Sequence, residues 1–245
     1  MSHPDQIYTR NTLLGALSAD DLARLKPHFS RVDIARDDIL VHADKPVEQV
    51  YFLDQGVASI VAAIGSRRPT EVGIFGRDGV SATCLLLGSD RSPHQTFIQV
   101  GSGTALCIDT APYLEAVRAS ETLRLTLLRF VQTMLVQGAH STATNAHHRI
   151  EARLARWLLM CHDRVDGDEI AITHEFLGLM IAAERSGVTV SLHILEGAGM
   201  IRAKRGRVII LDREMLRELA DDSYGAPEAQ YRHLIGPLGR EMDKG

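Results

Sequence analysis

A cluster of side chains able to contact a nucleic acid occupies one face of a short helix predicted after residue 184. Arg185, Ser186, Thr189 and Val190 lie in its first turns, and none of them is needed for the apolar stripe that would face the core. An arginine can form a bidentate hydrogen bond with guanine, hydroxyl side chains can hydrogen-bond to base edges or phosphates, and valine can make an apolar contact with a thymine methyl group. The pattern therefore predicts a helix that reads DNA bases.

A basic turn follows that helix. Lys204, Arg205 and Arg207 lie with Arg202 between two short apolar runs that predict a β-hairpin. No acid interrupts them, so they form a local cationic patch although the net charge of the chain is only −4. We expect Lys204, Arg205 and Arg207 to contact DNA phosphates.

Two helices must position these groups. Thr173 predicts the N-cap of a first helix, and the small residues Gly178 and Ala182-Ala183 suit a close crossing followed by a tight turn. Glycines at 197 and 199 predict the end of the second helix, because glycine tolerates the left-handed conformation. With the basic hairpin, this pattern indicates a winged helix-turn-helix. The alternative is a small helical hairpin with a solvated arginine.

The same stretch resembles the DNA-binding end of Crp/Fnr-type bacterial transcription regulators. The resemblance is strong over residues 153–211 and weaker over 13–152, and its motifs are residues 172–178, 185–189 and 195–201. It implies an α+β fold with an N-terminal antiparallel β-roll or jelly-roll of the cyclic-nucleotide-binding type. A long dimerisation helix and a C-terminal winged helix-turn-helix would follow.

The resemblance also assigns roles to individual positions. The base-reading positions of the family fall on Arg185, Ser186 and Val190, and its phosphate-contacting positions fall on Thr173 and His174. Two features depart from the family pattern. Glu184 stands where a serine is frequent, and Ser186 and Val190 replace charged residues of the best-known members, so the resemblance implies no operator sequence.

The length and the hydrophobic content fit two domains, and the cysteines fit a reducing compartment. The chain has 245 residues, of which 45% are hydrophobic, and its three cysteines are scattered. It contains no apolar run of about 18 residues and no signal-peptide pattern at the start, which predicts a cytoplasmic protein without a membrane partner. The predicted divisions are an effector roll over 1–111, a dimerisation helix over 112–145, a winged helix-turn-helix over 146–220 and a tail over 221–245, to which no task is assigned.

Short β-rich runs broken by turn residues follow a mostly helical beginning. The predicted strands are 38–42, 50–53, 58–64, 71–75, 96–100 and 104–108.

The ligand of the roll is not identified by the sequence. In family members that bind cyclic nucleotides, a Gly-Glu pair and a following Arg-Ser or Arg-Thr hold the ribose and the cyclic phosphate. The candidate effector pocket here is Arg91 and Ser92, or Gln95 and Thr96 when the next strand sets the alignment. No glutamate follows a glycine at the expected place, which disfavours cyclic AMP; an exposed turn with a solvated Arg91 is the alternative.

The sequence does not predict a haem, a metal ion or an iron-sulfur cluster. No cysteine or carboxylate completes a ligand set around the histidines of residues 140–148, so a haem or metal role is not expected. The N-terminal cysteine cluster of iron-sulfur members of the family is also missing, so an iron-sulfur cofactor is not expected. The cofactor stays unknown.

The predicted helix over 112–145 is apolar over a wide arc. Leu123, Leu127, Phe130 and Met134 step by four, three and four, and Leu135 belongs to an adjacent stripe. One buried face is too narrow for both stripes, so we expect the helix to pack on its own roll and on a symmetry mate. The five residues form the predicted dimer interface; a single wide core face in a monomer is the alternative.

These features favour a homodimeric, sequence-specific DNA-binding transcription regulator. Its expected partners are double-stranded DNA with a palindromic operator, a second copy of the chain and RNA polymerase. The alternative is a ligand sensor or scaffold whose winged helix binds protein, which the near-neutral charge and Glu184 favour. The chain has no nucleophile elbow, metal-ligand set or paired-carboxylate motif, so an enzyme is not expected.

Overall fold

The structure, a computed structural model, describes residues 8–63, 65 and 69–239. The strands in this part of the chain are β1 Ser30–Ile34, β2 Ile39–Val41, β3 Gln49–Leu53, β4 Val57–Ala62, β5 Thr70–Phe75, β6 Gln95–Val100, β7 Gly103–Asp109, β8 Glu169–Ile170, β9 Ile201–Lys204 and β10 Arg207–Ile210. The α-helices are α1 Thr12–Gly15, α2 Ala19–Leu25, α3 Thr110–Ala119, α4 Glu121–His147, α5 Ile150–His162, α6 His174–Met180, α7 Arg185–Gly197, α8 Arg213–Ala220 and α9 Ala226–Leu234. The α+β architecture is the predicted one.

The N-terminal half is a roll of two antiparallel sheets. The first has the strand order β1-β7-β3 and the second β2-β6-β4-β5, and side chains from both enter one core with Phe52 near its centre. All six predicted strands are present, although the end of the third, at residue 64, lies outside the described residues. Strand β1 was missed by the sequence analysis, because its charged residues Arg31 and Asp33 interrupt the apolar pattern.

The helical stretch predicted from residue 112 is two helices. Ser120 leaves the helical conformation, with φ −134° and ψ 120°, and its hydroxyl accepts a hydrogen bond from the Leu123 amide at 3.3 Å. The serine is therefore the N-cap of α4, a helix of 27 residues that runs from the roll to the C-terminal half. Both helices carry side chains into the core of the roll.

The structure corrects the predicted dimer interface. Leu123 and Leu127 are 0% exposed and Phe130 is 1% exposed, all in the core of the roll of the same chain. Met134 packs partly against that core as well. Leu123, Leu127 and Phe130 therefore have no surface left for a partner, and their assignment to the interface was wrong. Met134 is half-buried, and its place in an interface stays a prediction. Leu135, which is 63% exposed, faces outward.

The C-terminal half is built around α5. Helices α5, α6, α7 and α8 pack over a small sheet of order β8-β10-β9, with Trp157 and Leu192 in their common core. Val57, Ile74 and Val100 of the roll belong to the same core. The roll and the C-terminal half are therefore joined by apolar packing.

Two buried polar contacts reinforce this junction. Glu71 of β5 accepts hydrogen bonds from the Ser59 hydroxyl at 2.6 Å and from the Trp157 indole at 2.9 Å. Asp78 forms a buried ion pair with Arg164 at 2.7 Å. The Trp157 and Arg164 bonds each join a residue that follows α4 to a residue of the roll.

The C-terminal segment folds back onto the roll. Helix α9 packs on α4, and the Tyr231 hydroxyl donates a hydrogen bond to the Asp78 carbonyl at 2.7 Å. Tyr231 and Leu238 are buried in the core of the roll. The tail to which the sequence assigned no task therefore completes the N-terminal core. No helix in the described ranges is long and apolar enough to cross a membrane.

Candidate nucleic-acid interface

Helices α6 and α7 cross closely at small residues, as the sequence predicted. The Thr173 hydroxyl caps α6 by accepting a hydrogen bond from the Phe176 amide at 3.4 Å. A Cβ added at Gly178 would lie 2.7 Å from the carbonyl oxygen of Ala183, so no side chain fits there. Ala182 adopts φ 51° in the turn, a left-handed conformation that gives the chain its sharp change of direction.

The buried stripe of α7 fixes which face of the helix is free. Val188, Leu192 and Leu195 are all 0% exposed. At the end of the helix, Gly199 has φ 77° and the Met200 amide donates to the Leu195 carbonyl at 3.0 Å, which is a Schellman ending. The first turn of α7 is therefore held at a fixed rotation, with its opposite face in solvent.

That free face carries three of the four predicted base-reading residues. Arg185, Ser186 and Val190 are exposed, and Val190 is 57% exposed. The Arg185 guanidinium forms no ion pair with any described residue. It begins the helix directly after Glu184, which is exposed and makes no capping bond through its side chain. Arg185 is thus available for an external acceptor.

Thr189 differs from the other three. It is half-buried, its hydroxyl donates to the Arg185 carbonyl at 3.0 Å, and its oxygen lies 3.3 Å from Nδ1 of His174. The hydroxyl is therefore already engaged within the helix pair. Thr189 joins α6 to α7 in this structure, a role that the sequence did not indicate.

His174 and His193 flank this contact. The pKa of His174 is lowered, first by burial and then by the positive charges of Arg185 and His193, so the neutral imidazole is favoured. A neutral His174 can contact a phosphate by hydrogen bonding but adds no charge. His193 is exposed and lies on the same face one turn after Thr189; its spacing of eight residues from Arg185 was a signal that the sequence analysis missed.

The basic hairpin lies beside α7. Strands β9 and β10 are joined by a turn in which Gly206 has φ 76°, and Lys204 and Arg205 are exposed there. Glu196 of α7 accepts a hydrogen bond from the Ala203 amide at 3.0 Å, which ties the hairpin to the last turn of the helix. The hairpin therefore has a fixed position at the C-terminal end of α7.

Arg207 is less free than the other hairpin cations. Its guanidinium lies 3.1 Å from the carboxylate of Glu169 on β8, and both side chains are almost half exposed. Such a surface pair contributes about 0 to 1 kcal/mol. Arg207 can therefore exchange Glu169 for a phosphate with only a small loss of free energy.

The candidate effector residues do not form one site. Ser92 and Thr96 line a cavity of about 240 Å³ between the roll and α4. Arg91 and Gln95 do not line it; the Arg91 guanidinium is half exposed and pairs with Asp90 at 2.9 Å. Each predicted pair therefore has one residue in this cavity and one outside it, and the effector role of the four residues stays a prediction. Among the described residues no cluster of three His, Cys, Asp or Glu side chains could hold a metal ion.

Comparisons with known proteins give the same architecture. Residues 152–219 match the family model of the Crp-like helix-turn-helix domain. The global regulator CLP of Xanthomonas campestris, described as responsive to c-di-GMP, is 16% identical, with 79% of this chain and 99% of that chain covered and a TM-score of 0.62. A CRP-family transcriptional regulator of Thermus thermophilus is 20% identical, with 77% and 96% covered and a TM-score of 0.64.

A third solved structure, FixK2 of Bradyrhizobium japonicum, is 15% identical, with 79% of this chain and 98% of that chain covered and a TM-score of 0.65. No curated protein matches the chain by sequence. At these identities the solved structures show a shared fold.

Proposed function

The chain carries a Crp-like helix-turn-helix domain on the fold of Crp/Fnr-type transcription regulators, and from this premise we propose that it binds a palindromic operator as a homodimer. The observation that supports operator reading most directly is the first turn of α7. Arg185 is exposed and unpaired among described residues there, on a helix whose rotation is fixed by its buried stripe and whose last turn is bonded to the cationic hairpin. A DNA groove supplies the guanine edge and the phosphates that these groups require.

A second stripe on α4 supports the homodimer. Its residues alternate in steps of three and four, as in a heptad seam, and all are exposed or half-buried: Leu125, Leu128, Gln132, Leu135, Ala139, Thr142 and Ala146. Leu125 and Leu135 are 48% and 63% exposed, an unusual position for leucine on a helix of this length. We propose that this stripe packs on its symmetry mate.

A two-fold dimer of this kind would place two copies of α7 in successive major grooves. Half-sites about 34 Å apart follow, and the two-fold axis makes the operator palindromic. Selection of bound duplexes from a random pool by the full chain tests this directly. A palindrome with half-sites one helical turn apart is expected, whereas an enriched single half-site would refute the proposal that the chain binds DNA as a homodimer.

Replacing Arg185 tests the reading helix itself. Arg185→Ala is expected to weaken binding to the selected operator by about 1 to 3 kcal/mol and to relax the base preference at one position. Arg118→Ala removes an exposed arginine from α3 on the roll and serves as the matched control. Equal loss of affinity for operator and random DNA in the Arg185 variant would contradict base reading.

The hairpin cations are expected to act without sequence preference. Lys204→Gln should weaken all duplexes alike and reduce the slope of log K against log salt by about one. Arg118→Gln should leave the slope unchanged. If the wild-type chain showed no salt dependence and enriched no duplex, the protein-binding alternative for the winged helix would be favoured instead.

Control by an effector at the roll and contact with RNA polymerase belong to the same proposal. An effector would act by preferring one arrangement of α4 over another. Four residues that line the 240 Å³ cavity lie on α4, so an occupant would contact that helix directly: Phe130, Val131, Met134 and Leu135. This contact supports the cavity as the effector site.

A further inference from the structure

The cavity between the roll and α4 has a lining that restricts what it can bind. Its walls come from β2, β4, β5 and β6, from the short helical segment after Val80 and from α4. Most of the lining side chains are apolar, and they include Val41, Ile60, Val72, Phe75, Phe130 and Met134. Leu87, which is 65% exposed and lies outside the proposed dimer seam, also lines it. The cavity is therefore an apolar pocket with an entrance.

No charged side chain balances an anion in this pocket. Among the described residues that line it there is no arginine, lysine, aspartate or glutamate. A phosphate transferred from water into such surroundings would lose its hydration without gaining a cation or a set of charge-assisted hydrogen bonds. Arg91, the residue closest to such a role in the sequence, is exposed and paired with Asp90. The lining is thus unsuited to a nucleotide.

The polar side chains of the lining are few. Thr83, Ser92 and Thr96 contribute hydroxyls, and His94 contributes an imidazole. Neither ring nitrogen of His94 has a hydrogen-bond partner among the described residues, and its Nδ1 is enclosed. The backbone that carries the ring is anchored locally, because the His94 amide donates a hydrogen bond to the Ser92 hydroxyl at 3.1 Å. A half-buried imidazole without a partner is a hydrogen-bonding group that a ligand can use.

The volume gives the size of the occupant. A cavity of about 150 Å³ holds benzene, so a cavity of about 240 Å³ has room for about two fused rings. We propose that the pocket binds a small, uncharged, largely apolar molecule of bicyclic size that carries one hydrogen-bonding group for His94, and that it does not bind a nucleotide. This inference rests on the proposed role of the roll as an effector domain.

Equilibrium dialysis of the full-length chain with three probes tests the inference. The probes are 1-naphthol, whose hydroxyl both donates and accepts, naphthalene, which has the same rings without the hydroxyl, and cyclic AMP. Wild-type protein should bind 1-naphthol about three- to tenfold more tightly than naphthalene, the ratio expected from one hydrogen bond. Cyclic AMP should bind more weakly than either.

Two variants locate the binding. His94→Phe keeps a ring but removes both nitrogens, so 1-naphthol and naphthalene should bind it equally. Val131→Phe adds bulk to the wall of the pocket and should weaken both naphthyl probes at least about tenfold. Urea unfolding confirms that each variant is folded, and Arg118→Ala should bind all probes as the wild type does.

The inference is overturned if cyclic AMP binds more tightly than 1-naphthol, if neither naphthyl probe binds, or if the His94 and Val131 variants bind as the wild type does. Dialysis contains no DNA. Failure of operator binding would therefore leave these results unchanged, and the two proposals can fail separately.

Discussion

Glu71 gives the sharpest test of how the roll and the C-terminal half are joined. This carboxyl group of β5 lies between Ser59 and the Trp157 indole, and burial raises its pKa from an ordinary 4.5 to about 8. The hydrogen bonds from those two residues and the charges of Arg156 and Arg164 lower the pKa, but burial outweighs them. The folded protein therefore favours the neutral acid near neutral pH.

The sign and size of the effect on stability follow from this difference. The unfolded chain releases the proton near pH 4.5 and the folded chain near pH 8, so the folded state holds more protons in between. The free energy of unfolding therefore has its full value below pH 4.5 and decreases as the pH rises to about 8. At about 1.4 kcal/mol for each pH unit, Glu71 contributes a decrease of about 4 kcal/mol between pH 5 and pH 8.

Glu71→Gln removes the ionisable carboxyl group but keeps the size of the side chain and its ability to form hydrogen bonds. Its amide oxygen can accept from Trp157 and its amide nitrogen can donate to Ser59. We expect the variant to lose most of the decrease in stability between pH 5 and pH 8 and to be more stable than the wild type at pH 8. Glu115→Gln, at an exposed position on α3, is the matched control and should follow the wild type.

Urea unfolding at fixed protein concentration measures the effect, with the fluorescence of Trp157 as the signal. Trp157 is the only tryptophan of the chain and lies in the contact itself. Circular dichroism reports the helices in parallel. Identical unfolding midpoints for the wild type at pH 5 and pH 8, or a pH dependence retained in full by Glu71→Gln, would refute the reasoning.

Three further outcomes are expected. Leu135→Glu should convert the proposed dimer to a folded monomer in analytical ultracentrifugation, because this exposed side chain lies in the proposed seam; a variant that stays dimeric would exclude the seam. Gly178→Val should abolish operator binding and lower the helicity measured by circular dichroism, since its Cβ would lie 2.7 Å from the Ala183 carbonyl; wild-type affinity would contradict this crossing. Tyr231→Phe should lower the free energy of unfolding by about 0.5 to 1.5 kcal/mol through loss of the bond to Asp78, and an unchanged urea midpoint would show that the bond contributes nothing.

The strands and the helix-turn-helix could be predicted from the sequence because their signals are local. Short β-rich runs between turn residues predicted six of the seven strands of the roll, and a cap at Thr173 with small residues at Gly178 and Ala182 predicted the helix pair. Each of these features depends on residues within a few positions of one another. The local sequence is therefore sufficient to predict these strands and this helix pair.

The features that the sequence did not predict depend on contacts between distant segments. The two apolar stripes of α4 have similar compositions, and only the docking of the roll determines that Leu123 faces inward and Leu135 outward. The engagement of Thr189 depends on His174 in another helix. The cavity between the roll and α4 has α4 as one wall, so the strand pattern alone did not predict that Ser92 and Thr96 line it while Arg91 and Gln95 do not.

The position of the tail has a consequence for synthesis on the ribosome. Leu13 and Leu14 share a core with Tyr231 and Leu238, so the first and last described segments close one folding unit. Every strand of the roll has been translated long before Tyr231 emerges. Part of the apolar core of the nascent roll therefore stays exposed to solvent until the segment with Tyr231 and Leu238 has been translated. A chain that terminates before this segment cannot cover that surface.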